Sequence, residues 1–227
     1  MRIGGLQQCS LIDYPEKLCA IVFTIGCNFR CPYCHNPELV DETADEIKTE
    51  EIFRFLKSRE GKLDAVTITG GEPTMHDDLV SFIQRIKKLG FLVKLDTNGT
   101  RPDMIEALQK NKLVDYFAMD IKAPLNRYCE IVAHPVNVDN VSKSIALLIN
   151  GNIPYEFRTT TLKALLTTQD FHEIGKSIAG ANRYYLQRFV PSKLLNPAFL
   201  NMETYTETEF QEIREIMNMY VHECSVR

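Results

Sequence analysis

Short apolar or alternating runs recur along the chain, separated by amphipathic stretches of helical length. Six of them, at 18–25, 65–69, 92–96, 116–121, 155–159 and 185–190, read as strands. A helical pattern follows each, at 49–59, 77–89, 102–111, 138–150, 168–179 and 206–220. Thr49 is predicted to cap the first helix, whose Ile52, Phe53 and Leu56 share one face, and Gly90 after Lys87 and Lys88 to close the second. Regular βα alternation predicts an α/β fold with a parallel sheet and right-handed crossovers. Six units suit either an open doubly wound sheet or an incomplete parallel (β/α)6 barrel. No repeat or Pro/Ser-rich linker divides them, so one domain is expected over 1–227: a capping segment at 1–17, the six βα units at 18–190, and an extension with a final helix at 191–227. Leu11, Ile12 and Tyr14 are expected to cover one end of the barrel.

Composition narrows the partners. Of 227 residues, 44% are hydrophobic and 25% charged, as in an ordinary globular protein. With 26 Lys and Arg against 30 Asp and Glu, the net charge is -4 and no basic cluster suits a phosphate backbone, so no nucleic-acid partner is expected. No segment reaches the roughly 18 consecutive apolar residues of a membrane span, and the start lacks an apolar export core; no membrane partner and a cytoplasmic location are expected. Seven cysteines, an odd number, argue for thiols or metal ligands over a disulfide framework.

The densest chemistry follows the first strand. Gly26-Cys27-Asn28-Phe29-Arg30-Cys31-Pro32-Tyr33-Cys34-His35-Asn36 sets three thiols within eight residues, close enough to converge on one centre. Soft thiolates select zinc or iron-sulfur clusters. Structural zinc usually needs four protein ligands, and His35, adjacent to Cys34, is poorly placed as the fourth. Three cysteines on a four-iron cluster instead leave one iron open. The second strand ends in Thr69-Gly70-Gly71-Glu72-Pro73, where two glycines allow a close backbone approach and a carboxylate suits an ammonium group. Alone, this run is equally a strand-to-helix turn. The third and fourth strands end in Asp96-Thr97-Asn98-Gly99 and Met119-Asp120-Ile121-Lys122, and the fifth and sixth carry Arg158 and Gln187. Ends of parallel strands build active sites, although caps and solvated charges also fall there. No Ser-His-Asp or His-Glu-x-x-His arrangement supports a hydrolase.

Cys-x-x-x-Cys-x-x-Cys with Tyr33 before the last cysteine resembles the signature of radical S-adenosylmethionine (SAM) enzymes. More narrowly, the runs from Gly5 to Pro15 and from Phe23 to Val40 are similar to the activating proteins of anaerobic ribonucleoside-triphosphate reductase, which are glycyl radical enzyme activases. The resemblance implies a (β/α)6 barrel of the radical SAM type and a [4Fe-4S] cluster on Cys27, Cys31 and Cys34. It also implies SAM bound by Tyr33, His35, Asn36, Gly70, Gly71, Glu72, Pro73, Asp96, Thr97, Asn98, Asp120, Lys122 and Arg158, with a monovalent cation beside Asp96, Thr97 or Asp120. Lys122 would pair with the methionyl carboxylate. Ser10, Asp13 and Gln187 would lie near the substrate. Reductive SAM cleavage by an electron from reduced flavodoxin or ferredoxin would then place a glycyl radical on a partner enzyme. One departure bears on the partner: better-defined activases read Asp-Gly-Pro-Gly where this chain has Asp13-Tyr14-Pro15-Glu16. Activation of pyruvate formate-lyase or another glycyl radical enzyme, small-molecule radical chemistry, and a noncatalytic zinc or iron-sulfur module are the alternatives.

Overall fold

The computed structural model describes all residues, Met1–Arg227. The order is β1 Ile3–Ser10, β2 Cys19–Thr24, α1 Pro37–Val40, α2 Thr49–Ser58, β3 Ala65–Gly70, α3 Leu79–Lys88, β4 Leu92–Thr97, α4 Pro102–Lys110, β5 Tyr116–Asp120, α5 Tyr128–Ile131, α6 Val138–Ile149, β6 Tyr155–Thr161, α7 Thr168–Ser177, β7 Arg183–Arg188, α8 Glu207–Asn218 and β8 Glu223–Val226. The six expected βα pairs are all present, within an α/β fold built on parallel strands. The chain divides into two compact units, Met1–Asn28 with Glu38–Thr97 and Asp103–Phe117, and Phe29–Pro37 with Asn98–Pro102 and Ala118–Arg227.

In the first unit β2, β3 and β4 are parallel, with Ile21, Thr67 and Lys94 in register. Side chains alternate across a strand. Ala20, Val22, Val66, Ile68, Val93 and Leu95 lie on one face and are fully buried, while Cys19, Ile21, Thr67, Lys94 and Asp96 share the other. α2 and α3 bury Ile52, Leu56, Phe82, Ile83 and Ile86, and the Phe53 and Phe82 rings meet edge-on at 5.1 Å. Gly90 takes a left-handed φ of 86° just past α3, as its sequence position predicts. Thr49 does not cap α2: it is the first helical residue, and Lys48 precedes it without a side-chain bond.

The capping segment is largely a strand. β1 runs antiparallel to β2, with Leu6 opposite Val22 and Ser10 opposite Cys19. Its glycines and glutamines are poor strand formers, so tertiary pairing decides its conformation. Leu11 and Ile12 are 77% and 86% exposed and cover nothing, contrary to expectation, whereas Tyr14 is buried with Cys19, Ile21, Ala65 and Tyr116. Its ring lies 5.7 Å from that of Tyr116.

In the second unit β6, β7 and β8 are parallel, with Tyr184 opposite Phe157 and Cys224. β8 extends the expected six strands at the C-terminus. Arg227 closes it: its amide donates to Leu186 O at 2.9 Å, its guanidinium reaches Glu156 at 3.1 Å, and it stacks 3.3 Å from the centre of the Tyr185 ring. α7 and α8 start on capping boxes, Thr167 with Asp170 and Thr206 with Glu209.

Tyr14→Ala should therefore cost on the order of 3 kcal/mol, the usual loss for truncating a buried aromatic. For a chain of this length that lowers the thermal midpoint by about 10 °C. Ile12→Ala should leave it unchanged, and calorimetry on both variants checks the contrast.

Candidate active site

In the first unit the end of β3 is clamped to the start of the cysteine loop. Gly71 N donates to Thr24 O at 2.9 Å and Glu72 N to Gly26 O at 2.8 Å, while Gly26 N donates to Leu39 O at 2.8 Å. A Cβ on Gly70, whose φ is 116°, would fall 2.3 Å from Thr24 N, and one on Gly71 would fall 1.9 Å from Gly26 O. The close approach these glycines allow is thus to the chain's own backbone. Cys27 follows Gly26 and is partly buried.

Glu72 is 1% exposed, and its Oε1 accepts from Thr74 N at 3.1 Å, Thr74 Oγ1 at 2.5 Å and Thr97 Oγ1 at 2.7 Å. Pro73 opens the short 3-10 turn Pro73–Met75 that presents those donors. Asp96 is buried and ion-paired with Lys94, two residues earlier on the same face of β4. His76 is held by the carbonyl of Ile25 at 3.1 Å, so its Nε2 carries the proton, and burial lowers its pKa. Ser10 and Asp13 bond to each other beside the start of β2, at the opposite end of that strand from Cys27.

The second unit holds the remaining part of the cysteine motif. Cys34 N donates to Cys31 O at 3.0 Å, closing a turn. The segment after β7 is lashed to this turn: Asn196 N donates to Pro32 O and Leu195 N to Cys34 O, both at 2.9 Å. His35 joins them, with Nε2 2.8 Å from Val190 O and its ring 5.8 Å from that of Phe189. Asn36 is partly exposed just before α1. Asn98 Oδ1 accepts from Thr100 N at 3.1 Å and Thr100 Oγ1 at 2.7 Å, an Asx turn that follows from Asn-Gly. Gln187 lies opposite Thr160, and its carbonyl accepts from Thr161 Oγ1 at 2.9 Å.

Asp120 is the electrostatic centre of this unit. Its Oδ1 accepts from Arg158 Nε and its Oδ2 from Lys122 Nζ, each at 3.0 Å. Burial alone would raise its pKa, but the two cations hold it down to about 2. Burial likewise opposes the Lys122 charge, yet Asp120, Tyr33 and Cys31 keep the ammonium well above its ordinary pKa. Tyr128 links the ends of this turn, donating to Asp120 O at 3.3 Å and accepting from Lys122 N at 3.2 Å. Lys94, His76, Tyr128 and the lashed segment escaped the sequence reading; only Lys94, a charge inside an apolar run, left a usable signal there.

All seven cysteines are free thiols. No three His, Cys, Asp or Glu side chains are arranged as a single-ion site. Two features fit a cluster with a bound organic cofactor. Burial pushes the Cys31 thiol up to about 11 while Lys122 pulls it down, so a thiolate there needs a metal or cation to neutralise it. The Tyr33 hydroxyl is buried without a hydrogen-bond partner beside that thiol, a position a bound group can satisfy.

Residues 21–179 match the family model of the radical SAM superfamily. A Methanocaldococcus jannaschii protein named as a glycyl-radical enzyme activating enzyme is 36% identical over 233 aligned residues, covering 99% of this chain and 95% of its own. A 7-carboxy-7-deazaguanine synthase of Aquifex aeolicus is 36% identical over 75 residues, 33% of each chain. Among solved structures, Streptococcus suis SuiB bound to S-adenosylmethionine superposes with a TM-score of 0.70 at 13% identity, covering 91% of this chain and 49% of SuiB. A domain of a pyruvate-formate lyase-activating enzyme from Bacteroides vulgatus gives 0.58 at 18% identity, covering 72% of this chain and 99% of that one.

Because the folded pKa of Asp120 lies below its unfolded value of about 3.9, its stabilising contribution is full above that pH and is lost as pH falls toward 2. Lys122→Met removes one of its two cations and raises that pKa toward the unfolded value, so the variant, less stable than the parent at pH 6, should lose less further stability on acidification. Thermal midpoints measured between pH 6 and 3 check this, and identical profiles would contradict the assignment.

Proposed function

The chain belongs to the radical SAM superfamily, and we propose that it is the glycyl-radical enzyme activating enzyme of an anaerobic ribonucleoside-triphosphate reductase. The superfamily brings a [4Fe-4S] cluster and SAM. Held by this chain, the two would supply one-electron reductive cleavage of the sulfonium and, through it, abstraction of a hydrogen atom from a glycine Cα of the partner. The observation that carries the activase reading is coverage: similarity to the activating enzyme runs over 99% of this chain, against 33% for the deazaguanine synthase. The narrower assignment to a ribonucleotide reductase rests on the resemblance around Gly5 to Pro15 and Phe23 to Val40.

The chain's own residues would bind, orient and shield. Cys27, Cys31 and Cys34 would hold the cluster through their three thiolates. The Gly70–Pro73 turn, with Glu72 fixed by its hydroxyl and amide donors, receives the methionyl ammonium, and Lys122 receives the carboxylate. Asp120 holds Lys122 and Arg158 in place before SAM arrives, so little reorganisation accompanies binding. Tyr33, His35, Asn36, Asp96, Thr97 and Asn98 complete the SAM contacts, and Gln187 serves the substrate side. Reduced flavodoxin or ferredoxin supplies the electron.

Cys27→Ala, Cys31→Ala and Cys34→Ala should each lower reconstituted iron from about four per chain to a small residue, measured by iron analysis and absorbance. The partner assignment is tested by mixing the reduced, reconstituted protein with SAM and either the reductase or pyruvate formate-lyase under anaerobic conditions. The expected result is 5'-deoxyadenosine production that rises with the reductase, together with a glycyl doublet in its electron paramagnetic resonance spectrum. A doublet on pyruvate formate-lyase alone would overturn the partner, and SAM cleavage indifferent to either protein would overturn the activase reading.

A further inference from the structure

Tyr33 ends in a hydroxyl that the protein buries and leaves unpaired. The residue is 4% exposed, and its phenolic oxygen has no hydrogen-bond partner. An orphaned hydroxyl is costly in a folded chain. Its place is fixed by the turn in which Cys34 N donates to Cys31 O at 3.0 Å, with Tyr33 inside that turn and two residues from Cys31. Around the hydroxyl lie the Cys31 thiol, the Lys122 ammonium, the Tyr128 hydroxyl and the Asp120 carboxylate. Lys122 can only donate. Asp120 already takes Arg158 on Oδ1 and Lys122 on Oδ2, and the Tyr128 hydroxyl already spans Asp120 O and Lys122 N. The Cys31 sulfur is the neighbour whose demand changes: a thiol accepts weakly, whereas a thiolate accepts a strong, charge-assisted bond.

We propose that the Tyr33 hydroxyl tunes the iron-sulfur cluster, donating a hydrogen bond to the Cys31 sulfur once that sulfur is a cluster ligand. The proposal rests on the cluster reading above and adds to it a role for Tyr33 apart from any contact with SAM. Hydrogen bonds to the sulfurs of a cluster stabilise the charge of an added electron and raise its reduction potential. Burial strengthens such a bond, because no water competes for either partner. The donor also sits inside the three-cysteine motif, so the turn that places two of the ligands places it as well. Phenylalanine at this position would keep the ring and the backbone, with whatever contacts they make, and lose only the hydroxyl.

The test compares the parent with Tyr33→Phe, iron-free and anaerobically reconstituted, before SAM is added. Both proteins should assemble the four-iron cluster. Iron-free, the variant should unfold about 3 °C above the parent, because it buries no orphaned hydroxyl. Reconstituted, it should unfold below the parent. In a redox titration followed by electron paramagnetic resonance, the variant's cluster should have the more negative midpoint. In resonance Raman spectra, exchange into D2O should shift the Fe–S stretching bands of the parent more than those of the variant. An iron-free variant less stable than the parent would overturn the proposal, by showing the hydroxyl paired within the protein. An unchanged midpoint and Raman spectrum in the reconstituted variant would also overturn it, and SAM affinity weakened about tenfold in that same variant would assign the hydroxyl to SAM instead. A protein that assembles no four-iron cluster would overturn the cluster reading and this assignment together, whereas an intact cluster with an unmoved midpoint overturns this assignment alone.

Discussion

The contact between two stretches of backbone at Gly71 and Gly26 is the constraint on which the first unit depends. Two amide bonds cross it, from Gly71 to Thr24 and from Glu72 to Gly26. No side chain fits at Gly71, since even a methyl group would sit 1.9 Å from the Gly26 carbonyl oxygen. The clamp fixes where the chain leaves β2 to begin the cysteine loop, and it aims Glu72 inward, where burial makes its hydroxyl and amide donors obligatory. Thr97 is one of those donors, so the end of β4 is drawn into the same arrangement. A sequence motif readily taken for a ligand cradle is first a device for joining strand ends.

Both units meet the same electrostatic problem. Carboxylates at strand ends are withdrawn from water and must be compensated inside the protein. Glu72 accepts from Thr74 and Thr97, Asp96 pairs with Lys94, and Asp120 pairs with Lys122 and Arg158. These pairs gain little net stability over apolar packing. On the function proposed above, their worth lies in preorganisation: charges would be in place before a charged cofactor arrives, and dipoles need not reorient as it binds. The thiol of Cys31 belongs to this logic, because burial disfavours its anion until Lys122 or a metal offsets it.

Much of this was legible in the sequence, and what was not has identifiable physical causes. The six βα units followed from periodicity, and the candidate site positions from motifs at the strand ends. β1 was hidden because Gly4, Gly5, Gln7 and Gln8 carry no strand preference and pair only with a partner that tertiary structure supplies. β8 is four residues long, too short for a pattern. Thr49 failed as a cap because Lys48, one residue earlier, is where the chain turns. Charge pairing was out of reach where it depends on register between distant strands. Asp120 and Arg158 are 38 residues apart, and nothing in either local sequence announces the other. Lys94 and Asp96, two residues apart, could have been read from strand alternation alone.

The claim most exposed to direct test is that three cysteines of this chain hold a four-iron cluster with one iron left for SAM. Mössbauer spectroscopy of the iron-57-reconstituted protein, before and after addition of SAM, addresses it most directly. The account predicts a [4Fe-4S] signal in which one iron of four shifts on adding SAM while the other three do not. A cluster whose irons all ignore SAM, or a protein that takes up zinc and no iron, would contradict it.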